Sequence, residues 1–274
     1  MKRLIFFLFI LLAVIRCFGA GSELPFKLYR DYLIVAKCSV GPLADLTAII
    51  DTGVSETVLD LALLKRLSLD TQADTATFLN HESEVRAVSI PLLQLGPVRV
   101  EHLSGIATDL SLSTSQMGIR PDLLIGMDVL HRQSLVIDYR ARKLTFGEST
   151  PLKRSANLIA GGRFAILEAT SMGKKMRLQV DTGINGLLLY SKTFAPQAQG
   201  STTDPGVVSA AGAAKVRTVD SVEIKVGDWR TFRGTVFVLP GESPAADFDG
   251  LLGPRWLEAR RVALDFEKMV LWWE

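Results

Sequence analysis

The chain has 274 residues, of which 48% are hydrophobic and 22% are charged. This composition is that of a globular protein and excludes a disordered or collagen-like chain. Lys and Arg total 31 against 29 Asp and Glu, and the net charge of +2 gives no basic excess that would point to nucleic acid. Two cysteines and three histidines make a four-ligand zinc cluster nearly impossible and exclude a disulfide framework.

The first residues have the order of an export signal. Lys2 and Arg3 precede an unbroken apolar run at 4–15, and small residues follow between Gly19 and Ser22. This order is typical of a secretory signal peptide, and the run is short for a bilayer core of ~30 Å. We therefore expect residues 1–21 to be a signal peptide and the protein to be periplasmic or extracellular. An uncleaved segment that anchors the protein to the membrane is the alternative.

A tandem repeat occupies the remainder of the chain. Five blocks of sequence recur in the same order, at shifts that agree within four residues. The paired blocks are 48–53 and 178–183, 85–86 and 216–217, 95–96 and 226–227, 122–126 and 249–253, and 137–139 and 264–266. A period of about 125 residues is too long for a solenoid, whose repeats run ~20–50 residues. We predict two homologous lobes, residues 22–150 and 151–274, which join in a turn-rich stretch near 148–162.

Both lobes are predicted to be mostly β-structure. Short apolar-rich or alternating stretches recur between Gly and Pro turns. They are 32–38, 47–50, 89–95 and 136–139 in the first lobe, and 164–169, 177–180, 219–226 and 262–266 in the second. Helical spacing occurs at 59–67 and 127–132, and the polar, Ser-rich stretch 108–120 is expected to be a surface loop. Many short strands of this kind indicate a barrel or a sandwich in each lobe.

The tripeptide Asp-Thr-Gly stands once in each lobe, directly after an apolar strand. The two copies are Asp51-Thr52-Gly53 and Asp181-Thr182-Gly183. A given tripeptide arises by chance about once per 8,000 positions, so two copies at equivalent repeat positions indicate a shared role. The alternative is a strand-ending turn that the duplication copied.

The paired tripeptides resemble those of the aspartic proteases, of both the bilobal pepsin-like and the retroviral type. The similarity extends to the apolar-apolar-Gly elements 124–126 and 251–253, and it covers roughly residues 32–273. The nearest match is with the bacterial single-chain relatives of the retroviral enzymes. The resemblance implies an acid protease fold, with two homologous six-stranded β-barrel lobes related by a pseudo-twofold axis.

The resemblance implies that Asp51 and Asp181 are catalytic and that their loops support them. The supporting residues would be Thr52, Gly53, Thr182 and Gly183. Two carboxyl groups within about 3 Å cannot both ionise cheaply, so they share a proton, as they are known to do in aspartic proteases. The charged member can then activate a water against a peptide carbonyl while the neutral member hydrogen-bonds the carbonyl oxygen. We expect an aspartic endopeptidase of protein or peptide substrates that needs no cofactor or metal and for which a monomer is sufficient.

Two features depart from the family pattern. Val54 and Ile184 follow the two glycines, where the family has Ala, Ser or Thr, so no hydroxyl is present to bond the aspartates. We expect raised pKa values for the pair and a mildly acidic to near-neutral optimum. The other departure is the flap, a hairpin over the substrate, because 78–85 in lobe one has neither Gly nor Tyr at its tip. The lobe-two stretch with a small, flexible tip is Ser209, Ala210, Ala211, Gly212 and Ala213, which we predict to bind substrate.

Other candidate residues are assigned structural roles. Asp138 and Asp265 lie in apolar strands and are expected to make structural hydrogen bonds, and Asp122 and Asp249 are expected in turns. Cys38 is expected to be a small buried apolar residue. Absence of a Gly-x-Ser-x-Gly elbow argues against a serine hydrolase. The main alternative is that the protein keeps the fold and binds peptides without cleaving them. A third possibility is a membrane-anchored scaffold, for which the apolar run at 4–15 is the only support.

Overall fold

The computed structural model describes most of the chain after the predicted export segment. The described residues are 23–79, 81–111, 118–147, 149–160, 162–194, 206–209, 212–227, 229, 231–243 and 247–274. The predicted signal peptide, residues 1–21, lies outside them. None of the helices in this part of the chain has the length and apolar character needed to cross a membrane.

In the described part of its first half, the chain forms ten strands and two helices of four or more residues. The strands are β1 (Glu23–Tyr29), β2 (Leu33–Val40), β3 (Leu43–Ile50), β4 (Val58–Asp60), β5 (Thr71–Phe78), β6 (His81–Leu95), β7 (Val98–Thr108), β8 (Leu123–Ile125), β9 (Leu135–Asp138) and β10 (Lys143–Phe146). The helices are α1 (Leu61–Leu67) and α2 (Met127–Leu130).

The second half repeats this arrangement. Its strands are β11 (Arg154–Asn157), β12 (Ile166–Ser171), β13 (Lys174–Val180), β14 (Leu187–Tyr190), β15 (Gly206–Ser209), β16 (Gly212–Lys215), β17 (Arg217–Val226), β18 (Thr231–Leu239), β19 (Gly250–Leu252), β20 (Arg261–Asp265) and β21 (Val270–Trp273). A 3-10 helix covers Pro254–Leu257.

Each lobe is built around a closed ring of six strands. In lobe two the order is β12-β13-β19-β14-β18-β17. In lobe one the order is β2-β3-β8-β4-β7-β6, and pairing of Ser39 with Gln94 closes the ring. The parallel pairs also correspond, because β3 with β8 matches β13 with β19, and β4 with β7 matches β14 with β18. The predicted fold class, mostly β with two homologous six-stranded lobes, is therefore confirmed.

A third sheet joins the two lobes. Its order is β11-β21-β20-β9-β10-β1, so each lobe supplies three strands. The central pair, β9 and β20, is antiparallel, with Val136 opposite Ala263 and Ile137 opposite Val262. Equivalent strands thus meet at the middle of the sheet, which is where a pseudo-twofold axis between the lobes passes. Trp273 of β21 is completely buried against the core.

Two local predictions need correction. The helix predicted over 59–67 begins at Leu61, because the Asp60 carboxylate caps it by accepting the Ala62 N–H over 2.9 Å. The stretch 108–120 is not wholly a surface loop: Leu110 is fully buried, and its N–H donates to the same carboxylate over 2.9 Å. Residues 112–117 of that stretch lie outside the described residues.

Candidate active site

The two Asp-Thr-Gly loops begin where β3 and β13 end. β3 pairs in parallel with β8, and β13 pairs in the same way with β19. This pairing continues into the loops, since the Asp51 N–H donates to the Ile125 carbonyl over 3.0 Å and the Asp181 N–H to the Leu252 carbonyl over 2.9 Å. The apolar-apolar-Gly strands therefore hold both aspartates by their backbone.

The threonines connect the two loops across the lobe boundary. The Thr52 hydroxyl donates to the Val180 carbonyl, and the Thr182 hydroxyl donates to the Ile50 carbonyl, both over 2.8 Å. Each hydroxyl oxygen also accepts the backbone N–H of the opposite threonine over 3.0 Å. Both side chains are buried, so these direct hydrogen bonds fix one loop against the other.

Each carboxyl group lies against the glycine of the opposite loop. A Cβ atom built on Gly53 would lie 2.5 Å from Asp181 Cγ, and one on Gly183 would lie 2.8 Å from Asp51 Oδ2. The glycine N–H groups point back to their own aspartates, with 2.8 Å from Gly53 to Asp51 Oδ1 and 2.7 Å from Gly183 to Asp181 Oδ1. The two carboxyls lie within hydrogen-bonding reach of each other. The structure thus brings together the two aspartates singled out in the sequence.

Comparison with known families agrees with this geometry. A model of the aspartyl protease family matches residues 36–129 and 167–256, more than half of the chain. The chain belongs to the aspartyl protease family. Each matched segment of this family member carries one Asp-Thr-Gly loop and runs from the first strand of a ring to the short helix after the Gly-ended strand. No curated protein matches the chain.

Burial sets the electrostatics of the aspartate pair. It raises the pKa of Asp181 well above its ordinary value, and the negative charge of Asp51 adds to this effect while the Gly183 N–H opposes it. Burial also raises the pKa of Asp51, which the Gly53 N–H and the hydrogen bond with Asp181 counteract. Among the described residues, no hydroxyl group donates to either carboxyl, as the apolar Val54 and Ile184 lead one to expect.

Three tyrosines that the sequence did not single out respond to the charge of Asp181. Burial raises the pKa of Tyr32, Tyr139 and Tyr190, and the negative charge of Asp181 raises all three further. Tyr32 stands before β2, Tyr139 after β9 and Tyr190 at the end of β14, on elements far apart in sequence. No spacing in the sequence could have grouped them, since these elements belong to the lobe-one ring, the sheet that joins the lobes and the lobe-two ring.

The lobe-one hairpin crosses to lobe two. It is formed by β5 and β6, and Leu79 stands at its tip with a positive φ of 56°. The Tyr190 hydroxyl donates to the Leu79 carbonyl over 3.3 Å, and the Leu79 side chain packs on the lobe-two apolar cluster that includes Tyr190 and Phe248. The β5–β6 hairpin thus contacts the opposite lobe, although it lacks the Gly and Tyr that the family usually has at this tip.

The predicted lobe-two flap also forms a hairpin. β15 and β16 are antiparallel, and Ser209 pairs with Gly212 next to the tip. Ala210 and Ala211 lie outside the described residues, and of Ser209, Gly212 and Ala213 only the backbone is described. Substrate binding by these five residues stays a prediction.

The remaining candidates lie outside the aspartate pair. Asp122 and Asp249 accept the N–H groups of Thr47 and Arg177 over 2.8 and 2.7 Å, which links two strands in each lobe in the same way. Asp138 accepts the Ala141 N–H and pairs with Arg261.

Asp265 and Cys38 are buried. Burial raises the pKa of Asp265, but hydrogen bonds from Ser149 and Lys268 outweigh it and lower that pKa to about 2. Cys38 is 6% exposed, and burial raises the pKa of its thiol to about 12. Within the described ranges, no three His, Cys, Asp or Glu side chains are arranged to hold a metal ion.

One buried polar residue beside the loops was also overlooked. Gln179 stands two residues before Asp181 and is 1% exposed. Its amide nitrogen donates to the carbonyls of Thr52 and Gly53 in the opposite loop, over 3.2 and 3.0 Å. The repeat contains a signal for it, because the equivalent residue of lobe one is the apolar Ile49.

Proposed function

We propose that this protein is an aspartic endopeptidase in which Asp51 and Asp181 share one proton and activate a water for peptide hydrolysis. The main support is the meeting of the two carboxyls, each against the glycine of the opposite loop. Membership of the family supports a peptidase, and the shared-proton mechanism is our inference from the site.

The two carboxyls have different roles in the proposed reaction. Asp181, with the more strongly raised pKa, holds the shared proton and hydrogen-bonds the carbonyl oxygen of the scissile peptide. Asp51 is then the charged member and takes a proton from a water held between the two carboxyls. The water oxygen adds to the carbonyl carbon, and Asp181 gives its proton to the carbonyl oxygen. The tetrahedral intermediate breaks its C–N bond as the amide nitrogen receives a proton from Asp51, and one hydroxyl of the intermediate returns its proton to Asp181, which restores the shared-proton pair.

The raised pKa values define the pH range of the proposed activity. The pair works when it holds one proton, which requires a pH between its two macroscopic pKa values. Burial without hydroxyl donors moves both values upward, so the proposed optimum is mildly acidic to near neutral. A sharp optimum near pH 2 would contradict this assignment.

Incubation of the purified protein with an unfolded, labelled protein tests the activity. We expect fragments to form and a statine-type transition-state analogue to block them. Asp51→Asn and Asp181→Asn should each lower kcat/KM by at least about 1,000-fold, because an asparagine amide can neither take a proton from the water nor give one to the carbonyl oxygen. Asp45→Asn is a matched control, because Asp45 is exposed at a φ of 57°, which Asn tolerates. Unchanged cleavage by either active-site variant would refute the proposal.

A peptide-binding protein without turnover is the second candidate. It is favoured by the bulk of Val54 and Ile184 and by the absence of a hydroxyl donor at the described carboxyls. This function would give saturable binding of the unfolded protein or of the analogue, with no fragments. Export through residues 1–21 is also a proposal, and sequencing the N-terminus of the mature protein distinguishes a cleaved signal from a retained anchor.

A further inference from the structure

The two loops are nearly symmetric, but one buried position breaks the symmetry. Ile49 and Gln179 occupy equivalent places, each two residues before an aspartate, and each is 1% exposed. Ile49 packs in an apolar cluster with Val58 and Ile106. A buried amide is costly unless its polar atoms find partners, so Gln179 would be a poor choice for packing alone.

The partners of Gln179 lie in the other lobe. Its amide nitrogen donates to two successive carbonyls of the first loop, those of Thr52 and Gly53. Ile49 has no donor, so it cannot make the equivalent bonds to Thr182 and Gly183. The first loop is therefore held by lobe two through a contact that the second loop does not receive from lobe one.

One of these bonds acts directly on the peptide group beside Asp51. The Thr52 carbonyl and the Gly53 N–H belong to the same planar peptide unit. Gln179 donates to the carbonyl end of this unit, and its N–H end donates to Asp51 Oδ1 over 2.8 Å. Hydrogen bonds in such a chain polarise one another, so the Gln179 amide strengthens the N–H that stabilises the ionised form of Asp51.

We propose that Gln179 is a positioning residue that orients the Thr52–Gly53 peptide and makes Asp51 the charged member of the aspartate pair. The shared proton is thereby directed to Asp181. This inference rests on the proposed function, because it assigns the base and the acid of that reaction. Gln179 acts through a peptide group and does not need to touch the substrate.

The other titratable groups near the pair stay in place when Gln179 is changed. They are Tyr32, whose pKa also responds to the charge of Arg30, Tyr139, whose pKa also responds to Arg255, and Tyr190. All three respond to Asp181, and none is hydrogen-bonded to Gln179 in the described residues. If replacing Gln179 changes the titration of the aspartate pair, the change is therefore due to loss of the Gln179 amide.

Replacement of Gln179 by Leu tests the proposal through the kinetics. The variant loses the buried amide that donates to the Thr52–Gly53 peptide, and this peptide supports the charge of Asp51. We therefore expect kcat to fall by about 10- to 100-fold, with a much smaller change in KM. The acidic limb of the pH profile of kcat/KM should move to higher pH, because the Asp51 anion loses support. Ile49→Leu is the matched control at the equivalent position and should leave the acidic limb in place. An unmoved acidic limb in a folded Gln179→Leu variant would overturn the proposal.

A second measurement is independent of turnover. A larger share of the pair is ionised at pH 7 than at pH 4, so Gln179→Leu should lower Tm more at pH 7 than at pH 4. In an Asp51→Asn background this pH dependence should disappear, since the charge that the amide supports is gone. Equal Tm losses at both pH values would contradict the proposed support of the Asp51 charge by Gln179. If Gln179→Leu does not fold, Gln179→Met, whose side chain has a similar length, takes its place. If the wild-type protein cleaves no peptide, the proposed function fails, while these Tm values still decide the role of Gln179.

Discussion

Thr52 and Thr182 bond each other reciprocally across the lobe boundary, each accepting the backbone N–H of the other over 3.0 Å. Each hydroxyl also donates to a strand carbonyl of the opposite lobe. The aspartates follow strands that belong to different lobes, so their relative position depends on these four bonds.

Replacement of Thr52 by Val tests this dependence. Val has nearly the same shape but leaves the buried Thr182 N–H and the Val180 carbonyl without partners. We expect a loss of about 2–3 kcal/mol in the free energy of unfolding, measured by urea denaturation, and a fall in kcat/KM in addition. Thr231→Val, at an exposed strand position, is the control and should change stability by less than about 0.5 kcal/mol. Equal stability of the two variants would show that the bonds between the loops contribute little.

Gly53 should not tolerate a side chain. A methyl group there would lie 2.5 Å from Asp181 Cγ, closer than atoms can approach, so Gly53→Ala must displace the carboxyl. We expect at least about a 100-fold loss of kcat/KM and weakened binding of a statine-type analogue. Gly162→Ala is the control, because the nearest atoms to its added Cβ are 3.8 Å away. Normal cleavage by Gly53→Ala would mean that the loops do not need to approach this closely.

The aspartate pair should make stability depend on pH. The pKa of Asp181 is raised in the folded state, so the folded protein binds this proton more tightly than the unfolded chain does. That contribution is present below the ordinary pKa of an aspartate and is lost as pH rises through the folded-state value. Asp181→Asn removes the buried charge, so its Tm relative to the wild type should rise between pH 4 and pH 7. A constant difference across that range would contradict the raised pKa, and Asp45→Asn should give such a constant difference.

The contact between Tyr190 and Leu79 should slow the opening of the lobe-one hairpin. Tyr190→Phe keeps the ring in the apolar cluster and removes only the hydroxyl that donates to the Leu79 carbonyl. Loss of one such bond, worth about 1 kcal/mol, should increase the open population about fivefold. Hydrogen exchange of the hairpin amides measures this change. Tyr29→Phe is the control, and faster exchange in both variants would show that the effect is not specific to the Leu79 contact.

The two Asp-Thr-Gly loops could be predicted from the sequence because the duplication left a copy of this short motif in each lobe. Asp51 and Asp181 follow apolar strands at equivalent places, and the Gly-ended strands recur in the same order. Their bonding partners lie within the repeated blocks, so comparing the two halves was enough to find them.

Contacts between the lobes could not be predicted in the same way. Leu79 and Tyr190 are 111 residues apart in the chain, and neither belongs to a recurring block. Gln179 lies within a recurring block, but its polar side chain acquires a role only when lobe one folds against it. The start of α1 and the burial of Leu110 depend on one carboxylate, that of Asp60, whose two N–H partners are 48 residues apart.

The continuous sheet beneath the two lobes limits how substrate can reach the aspartates. Main-chain hydrogen bonds connect β9 of one lobe to β20 of the other along four residue pairs. Swinging the lobes apart would break this backbone ladder at its centre, where the side chains are buried. For the proposed peptidase, this sheet favours substrate entry by deflection of the lobe hairpins over separation of the lobes.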